Sequence, residues 1–93
     1  MALRVLIVDD EPVARAGMLE YVKEAPFLHV VGQCSHAAEA AEVLTREPVD
    51  LLLLDIQMPR LSGVEWLKTL SQPPMVIFTT AYGEYALEGY ALD

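Results

Sequence analysis

A doubly wound α/β fold built on a parallel sheet is predicted by three features of these 93 residues. Four short apolar runs, Leu3 to Val8, Leu28 to Val31, Val49 to Leu54 and Met75 to Phe78, are rich in Val, Leu and Ile and do not alternate with polar residues. Strands covered on both faces read this way. Segments of helical period lie between and after these runs, and right-handed crossovers between successive strands then put helices on both sheet faces. The length admits one domain, residues 1–93, with no repeat, linker or low-complexity stretch.

The first strand runs into Asp9, Asp10 and Glu11, and Pro12 follows at a position suited to the first turn of a helix. Ala14, Met18, Tyr21, Val22 and Ala25 then mark one buried stripe, which Pro26 ends. After the second strand, Ser35 is placed to cap a helix that His36 opens, with Ala37, Ala40, Ala41 and Leu44 on one face and an end before Pro48. A third helix starts near Ser62, uses Val64, Leu67 and Leu70, and stops before Pro73. The last carries Tyr82, Tyr85, Ala86, Gly89 and Tyr90, and Gly89 inside it costs about 1 kcal/mol relative to alanine. Trp66 is assigned no role, and His29 and His36 are isolated.

Fourteen acids against six basic residues give a formal net charge of −8, and Arg4, Arg15, Lys23, Arg46, Arg60 and Lys68 are scattered along the chain. A phosphate backbone finds no cationic stripe here, so direct nucleic-acid binding is not expected, and a cation is the more natural small partner. No apolar stretch has the length of a membrane span or the flanks of a signal peptide, so a cytoplasmic location is expected. Cys34, the single cysteine, is expected to be a small buried hydrophobe.

The third strand, "VDLLLLD", also ends on an acid, Asp55. In a flavodoxin-like sheet of order 2-1-3-4 the first and third strands are neighbours, so Asp9, Asp10 and Asp55 converge beyond their carboxyl ends. Two carboxylates about 4 Å apart repel by about 4 kcal/mol at an effective dielectric of 20. Protonation of one acid offsets that, and so does a divalent cation. Magnesium suits the count, since it is held by one or two carboxylates and keeps positions for water and phosphate oxygens. A solvated acidic loop accounts for Asp9 to Glu11 but leaves Asp55 unexplained. After Asp55, "DIQMPRLSG" takes the chain sharply off the strand. At the end of the fourth strand, "FTTAY", alternation lets one threonine face the acids, and Thr80 is the nearer candidate to donate to an anion placed on Asp55.

Together, "VLIVDDEP", "VDLLLLDIQMPRLSG" and "VIFTTA" resemble the receiver domain of two-component response regulators, and "TTAYGEYALEGYALD" is similar to receivers that carry a LytTR-type output domain. The resemblance implies that Asp55 accepts a phosphoryl group from the phosphohistidine of a sensor histidine kinase. It also implies that magnesium is held by Asp10, Asp55 and the backbone carbonyl of Gln57, with Asp9 acting through water. Thr80 would then bond a phosphoryl oxygen and switch an output domain or partner protein.

The sequence departs from the family by stopping at Asp93, before the expected fifth strand, its lysine-proline and the fifth helix. Neither Lys23 nor Lys68 is placed to stand in for that lysine. A homodimer or larger assembly through an exposed fourth strand and fourth helix, or rearrangement of the last helix to cover the gap, is therefore expected, with phosphorylation weak or absent compared with a longer chain. A receiver reduced to an interaction module is the alternative. An aspartyl phosphatase is disfavoured because Gln57 stands where its second acid belongs, so no enzyme activity beyond slow self-phosphorylation and self-dephosphorylation is expected. A nucleotide or flavin binder is disfavoured because Asp9, Asp10 and Glu11 would repel its phosphate.

Overall fold

The computed structural model describes residues 2–56 and 62–79. Seven elements follow one another: β1 (Leu3–Val8), α1 (Pro12–Lys23), β2 (Leu28–Cys34), α2 (Ala37–Arg46), β3 (Leu51–Asp55), α3 (Gly63–Leu67) and β4 (Met75–Thr79). The four strands form one parallel sheet in the order β2-β1-β3-β4, as expected. The putting of β1 and β3 side by side at the centre explains their composition, because both are covered above and below. Leu6, Ile7, Leu52 and Leu54 are fully buried, each stabilising the fold by about 1.5–3 kcal/mol.

Strand alternation sorts the core into two layers. On one face Leu6, Val8, Leu52, Leu54, Val76 and Phe78 pack with Ala40, Val43 and Trp66 from the helices. On the other, Val5, Ile7, Leu51 and Leu53 pack with Val22, Met18 and Leu19 of α1. Met75 and Ile77 of β4 point the same way as this second layer but stay exposed, at 63% and 41%.

Several expectations need correction. Tyr21 is 73% exposed, because the inward face of α1 is centred on Met18, Leu19 and Val22 and Tyr21 lies about a quarter turn away. Ala25 falls outside α1, which ends at Lys23 two residues before it. Trp66 is buried at 4% in the first core layer, since α3 turns its Gly63 and Trp66 side inward and leaves Val64 and Leu67 only half-buried. Ser35 does not cap α2. His36 does, its Nδ1 accepting from the Glu39 N–H at 3.3 Å, while the Ser35 N–H and hydroxyl donate to Glu39 Oε1 at 2.9 and 2.6 Å. Those two bonds, the hydroxyl's first, hold the Glu39 carboxyl below the usual range. The last helix, with Tyr82, Tyr85 and Tyr90, lies outside the described residues.

β2 continues past Val31 to Cys34, with a bulge that shifts its register to β1 between the pairs Val5–Val30 and Leu6–Gly32. Cys34 is buried as expected, and burial, reinforced by Glu39, pushes its thiol up from 9.0 to about 11.

Candidate functional site

The three acids after β1 have different fates. Asp9 is 5% exposed, and its N–H continues the sheet ladder by donating to the Cys34 carbonyl at 3.0 Å. Its Oδ1 accepts from the Glu11 N–H at 2.9 Å, a local turn that fixes the carboxylate against its own backbone. Asp10 is half-buried. Glu11 is exposed and serves α1 as its N-cap, accepting from the Val13 N–H at 3.1 Å, with Pro12 in the first turn.

Asp55 arrives from the neighbouring strand and is 8% exposed. Carboxylate oxygens of Asp9, Asp10 and Asp55 all lie within 4.8 Å of one another. The convergence expected from adjacent strand ends is therefore present.

The chain beyond Asp55 is held by two backbone bonds. The Ile56 N–H donates to the Thr79 carbonyl at 3.2 Å, and the Gly63 N–H donates back to the Ile56 carbonyl at 2.9 Å. Gly63 has to be glycine, because a Cβ there would collide with the Asp55 carbonyl and press on the Leu54 side chain. Ser62 caps α3 by accepting from the Glu65 N–H at 3.1 Å. The glycine eight residues after Asp55 thus belongs to the acid's support, brought so close that only a hydrogen fits.

Across the sheet, Thr79 is the register partner of Asp55, and its buried hydroxyl oxygen has no hydrogen-bond partner among the described residues. Gln57 and Thr80, expected at a metal site and a phosphoryl group, lie outside the described residues. Sequence reasoning missed Arg15, whose Nη1 donates to the Asp9 carbonyl at 2.8 Å. Its position in the i, i+3, i+4, i+7 series with Met18, Leu19 and Val22 carried that signal.

The donor set fits a hard divalent cation. Carboxylate oxygens suit magnesium, whose ligands lie about 2.0–2.1 Å away, so that two oxygens on one ion are at most about 4.2 Å apart. A spread of 4.8 Å needs only side-chain rotation or one bridging water. Among the described residues no helix is long and apolar enough to cross a membrane.

Comparison with known proteins agrees with this arrangement. The family model described as "Response regulator receiver domain" matches residues 5–93. The transcriptional regulatory protein BtsR of Escherichia coli K12 is 41% identical over 90 residues, covering 95% of this chain and 38% of BtsR. The chain thus spans well under half the length of that relative. Among solved structures, the response regulator domain of Thermotoga maritima CheB superposes with a TM-score of 0.78 at 31% identity, over 96% of this chain and 73% of that one. The response regulatory domain of mrkE from Klebsiella pneumoniae gives 0.76 at 28%, over 97% and 76%. Strand order, acids at two adjacent strand ends and these matches lead to one conclusion: the chain belongs to the response regulator receiver domain family.

Proposed function

We propose that the chain is a phosphoryl-accepting signalling module whose acceptor is Asp55. The reading is carried by the meeting of Asp9, Asp10 and Asp55 oxygens within 4.8 Å, with Asp55 fixed at the end of a buried strand. An Asp55 carboxylate oxygen attacks the phosphorus of a phosphohistidine on a sensor histidine kinase. The P–N bond breaks, the imidazole leaves with a proton from solvent, and an acyl phosphate remains on Asp55. Asp10, Asp55 and the Gln57 carbonyl would hold magnesium, with Asp9 acting through water. When bound, the ion neutralises charge that builds on the phosphoryl oxygens. Thr80 donates to one of those oxygens and so moves the chain that follows β4, which an output domain or partner protein reads. The ending "TTAYGEYALEGYALD" supports a LytTR-type output, and the lack of a second acid at position 57 supports a module without turnover of its own substrate. A cytoplasmic location follows from partnership with a kinase.

Intact-mass analysis after incubation with a small phosphodonor and magnesium tests this. One added phosphoryl group, absent when magnesium is chelated and absent in Asp55→Asn, is the expected result. Incorporation that persists in the Asp55→Asn variant overturns the assignment.

A self-association reading is favoured by one observation, the exposure of Met75 and Ile77 side by side on β4. A homodimer or larger assembly would bury them. Sedimentation of wild type against Ile77→Lys checks this. The expected outcome is an assembly in wild type that the substitution dissociates, and a monomer at all concentrations refutes it.

A further inference from the structure

Arg15 stands seven residues, about two turns, before Val22, and so shares its sheet-facing side of α1. That line of the helix is apolar at Met18 and Val22 but cationic here, where it passes over the strand ends. The guanidinium donates to the Asp9 carbonyl at 2.8 Å and is half-buried. Its charge also reaches the next strand and helix. Burial and Glu39 raise the Cys34 thiol while Arg15 pulls it back, and Arg15 adds a smaller downward pull on Glu39 to the bonds from Ser35.

We infer that Arg15 is a positioning residue that serves as a resident countercharge for the acidic cluster, steadying Asp9, Asp10 and Asp55 in the absence of metal and weakening their hold on a divalent cation. The inference rests on the metal-binding reading above. Its basis is Coulombic. The three carboxylates face one another within 4.8 Å, and a fixed cation anchored to the backbone of one of them lowers their mutual repulsion. The same charge repels an incoming doubly positive ion. At a near-aqueous dielectric, a unit charge within about 10 Å of such an ion changes its affinity about five- to tenfold. The affinity of the site is then set below what its acids alone would give, a property that favours reversible loading.

Two effects act in opposite directions when Arg15 is replaced, and the choice of variant separates them. Arg15→Gln keeps a donor for the Asp9 carbonyl and loses the charge. Arg15→Lys keeps the charge. Arg15→Met, a second neutral variant that keeps the aliphatic stem, serves if the glutamine variant does not fold.

Calorimetric titration of the whole chain with magnesium chloride at low ionic strength, paired with thermal melting with and without metal, tests the inference. Arg15→Gln is expected to bind magnesium about five- to tenfold more tightly than wild type, and Arg15→Lys within about twofold of wild type. The gap should narrow at high salt, where the Debye length falls to about 3 Å at 1 M. Without metal, Arg15→Gln should melt below wild type, and magnesium should restore more of its stability. Equal or weaker binding by Arg15→Gln, or tightening by Arg15→Lys as well, overturns the inference while leaving the metal reading standing. If wild type and every variant bind no magnesium, the metal reading fails and this inference fails with it.

Discussion

The two ends of the sheet both carry acids, and they treat them in opposite ways. At the amino end, Asp50 and Glu47 are met by Arg4. The Arg4 N–H donates to Asp50 Oδ2 at 2.8 Å, its Nη2 to Glu47 Oε1 at 2.9 Å and its Nε to the Pro48 carbonyl at 2.7 Å. The Asp50 N–H returns a bond to the Arg4 carbonyl at 2.8 Å, so this corner ties β1 to β3. At the carboxyl end, Asp9, Asp10 and Asp55 are pressed toward one another, and the arginine nearby bonds a backbone carbonyl. At one end an arginine of the adjoining strand meets the acids; at the other the acids meet one another, which is the arrangement the proposed cation would complete.

Removing a charge should therefore have opposite signs at the two ends, while a backbone clash at the carboxyl end outweighs both. The largest effect is expected from Gly63→Ala, which drives a methyl into the Asp55 carbonyl and should destabilise the fold by about 2–4 kcal/mol in urea denaturation while displacing the acceptor. Next is Asp10→Asn. Without metal it should raise stability by about 1–2 kcal/mol through relief of repulsion, and the stabilisation by magnesium seen in wild type should vanish. A metal-free Asp10→Asn variant that melts below wild type would erase the contrast between the ends. At the amino end, Arg4→Met should cost about 0.5–1 kcal/mol, because the side chains of the pair with Glu47 are 35% and 42% exposed.

The smallest effect concerns pH. The Glu39 carboxyl is held below its unfolded value, first by the Ser35 hydroxyl and then by the Ser35 N–H. Its contribution to stability is present above the unfolded value, about 4.3, and disappears as pH falls through the folded value. Wild type and Glu39→Gln should accordingly differ most near neutrality and converge at lower pH, as followed by thermal melting. Cys34 behaves in the opposite sense. Its raised value adds stability below pH 9.0 that declines as pH rises toward about 11, which a comparison with Cys34→Ala would detect.

Much of this was legible in the sequence because it depends on local rules. The runs ending at Val8 and Asp55 needed burial on both faces, which fixed a parallel sheet and, with β1 beside β3, brought the acids together. What escaped depends on the rotation of a helix about its axis. A half-turn of apolar positions admits more than one centre, so spacing alone turns Tyr21 inward, where the structure exposes it, and gives Trp66 no place, where the structure buries it. The same ambiguity hid Arg15, whose direction is defined only once α1 is laid on the sheet. Gly63 was readable as a turn residue, but its contact with Asp55 is a matter of two segments meeting in space. At the start of α2, Ser35 and His36 both suit a cap, and the carboxylate of Glu39 decided between them by capturing Ser35.

The bulge in β2 changes the parity of that strand. Leu28 and Val30 line the α1 side, yet Cys34, also an even position, lies on the side of α2 and α3. Removing one residue at Val31 would restore simple counting by twos and leave the cysteine beside Val8 where it now lies, so the bulge is the device by which this strand carries one extra residue without turning the polypeptide over.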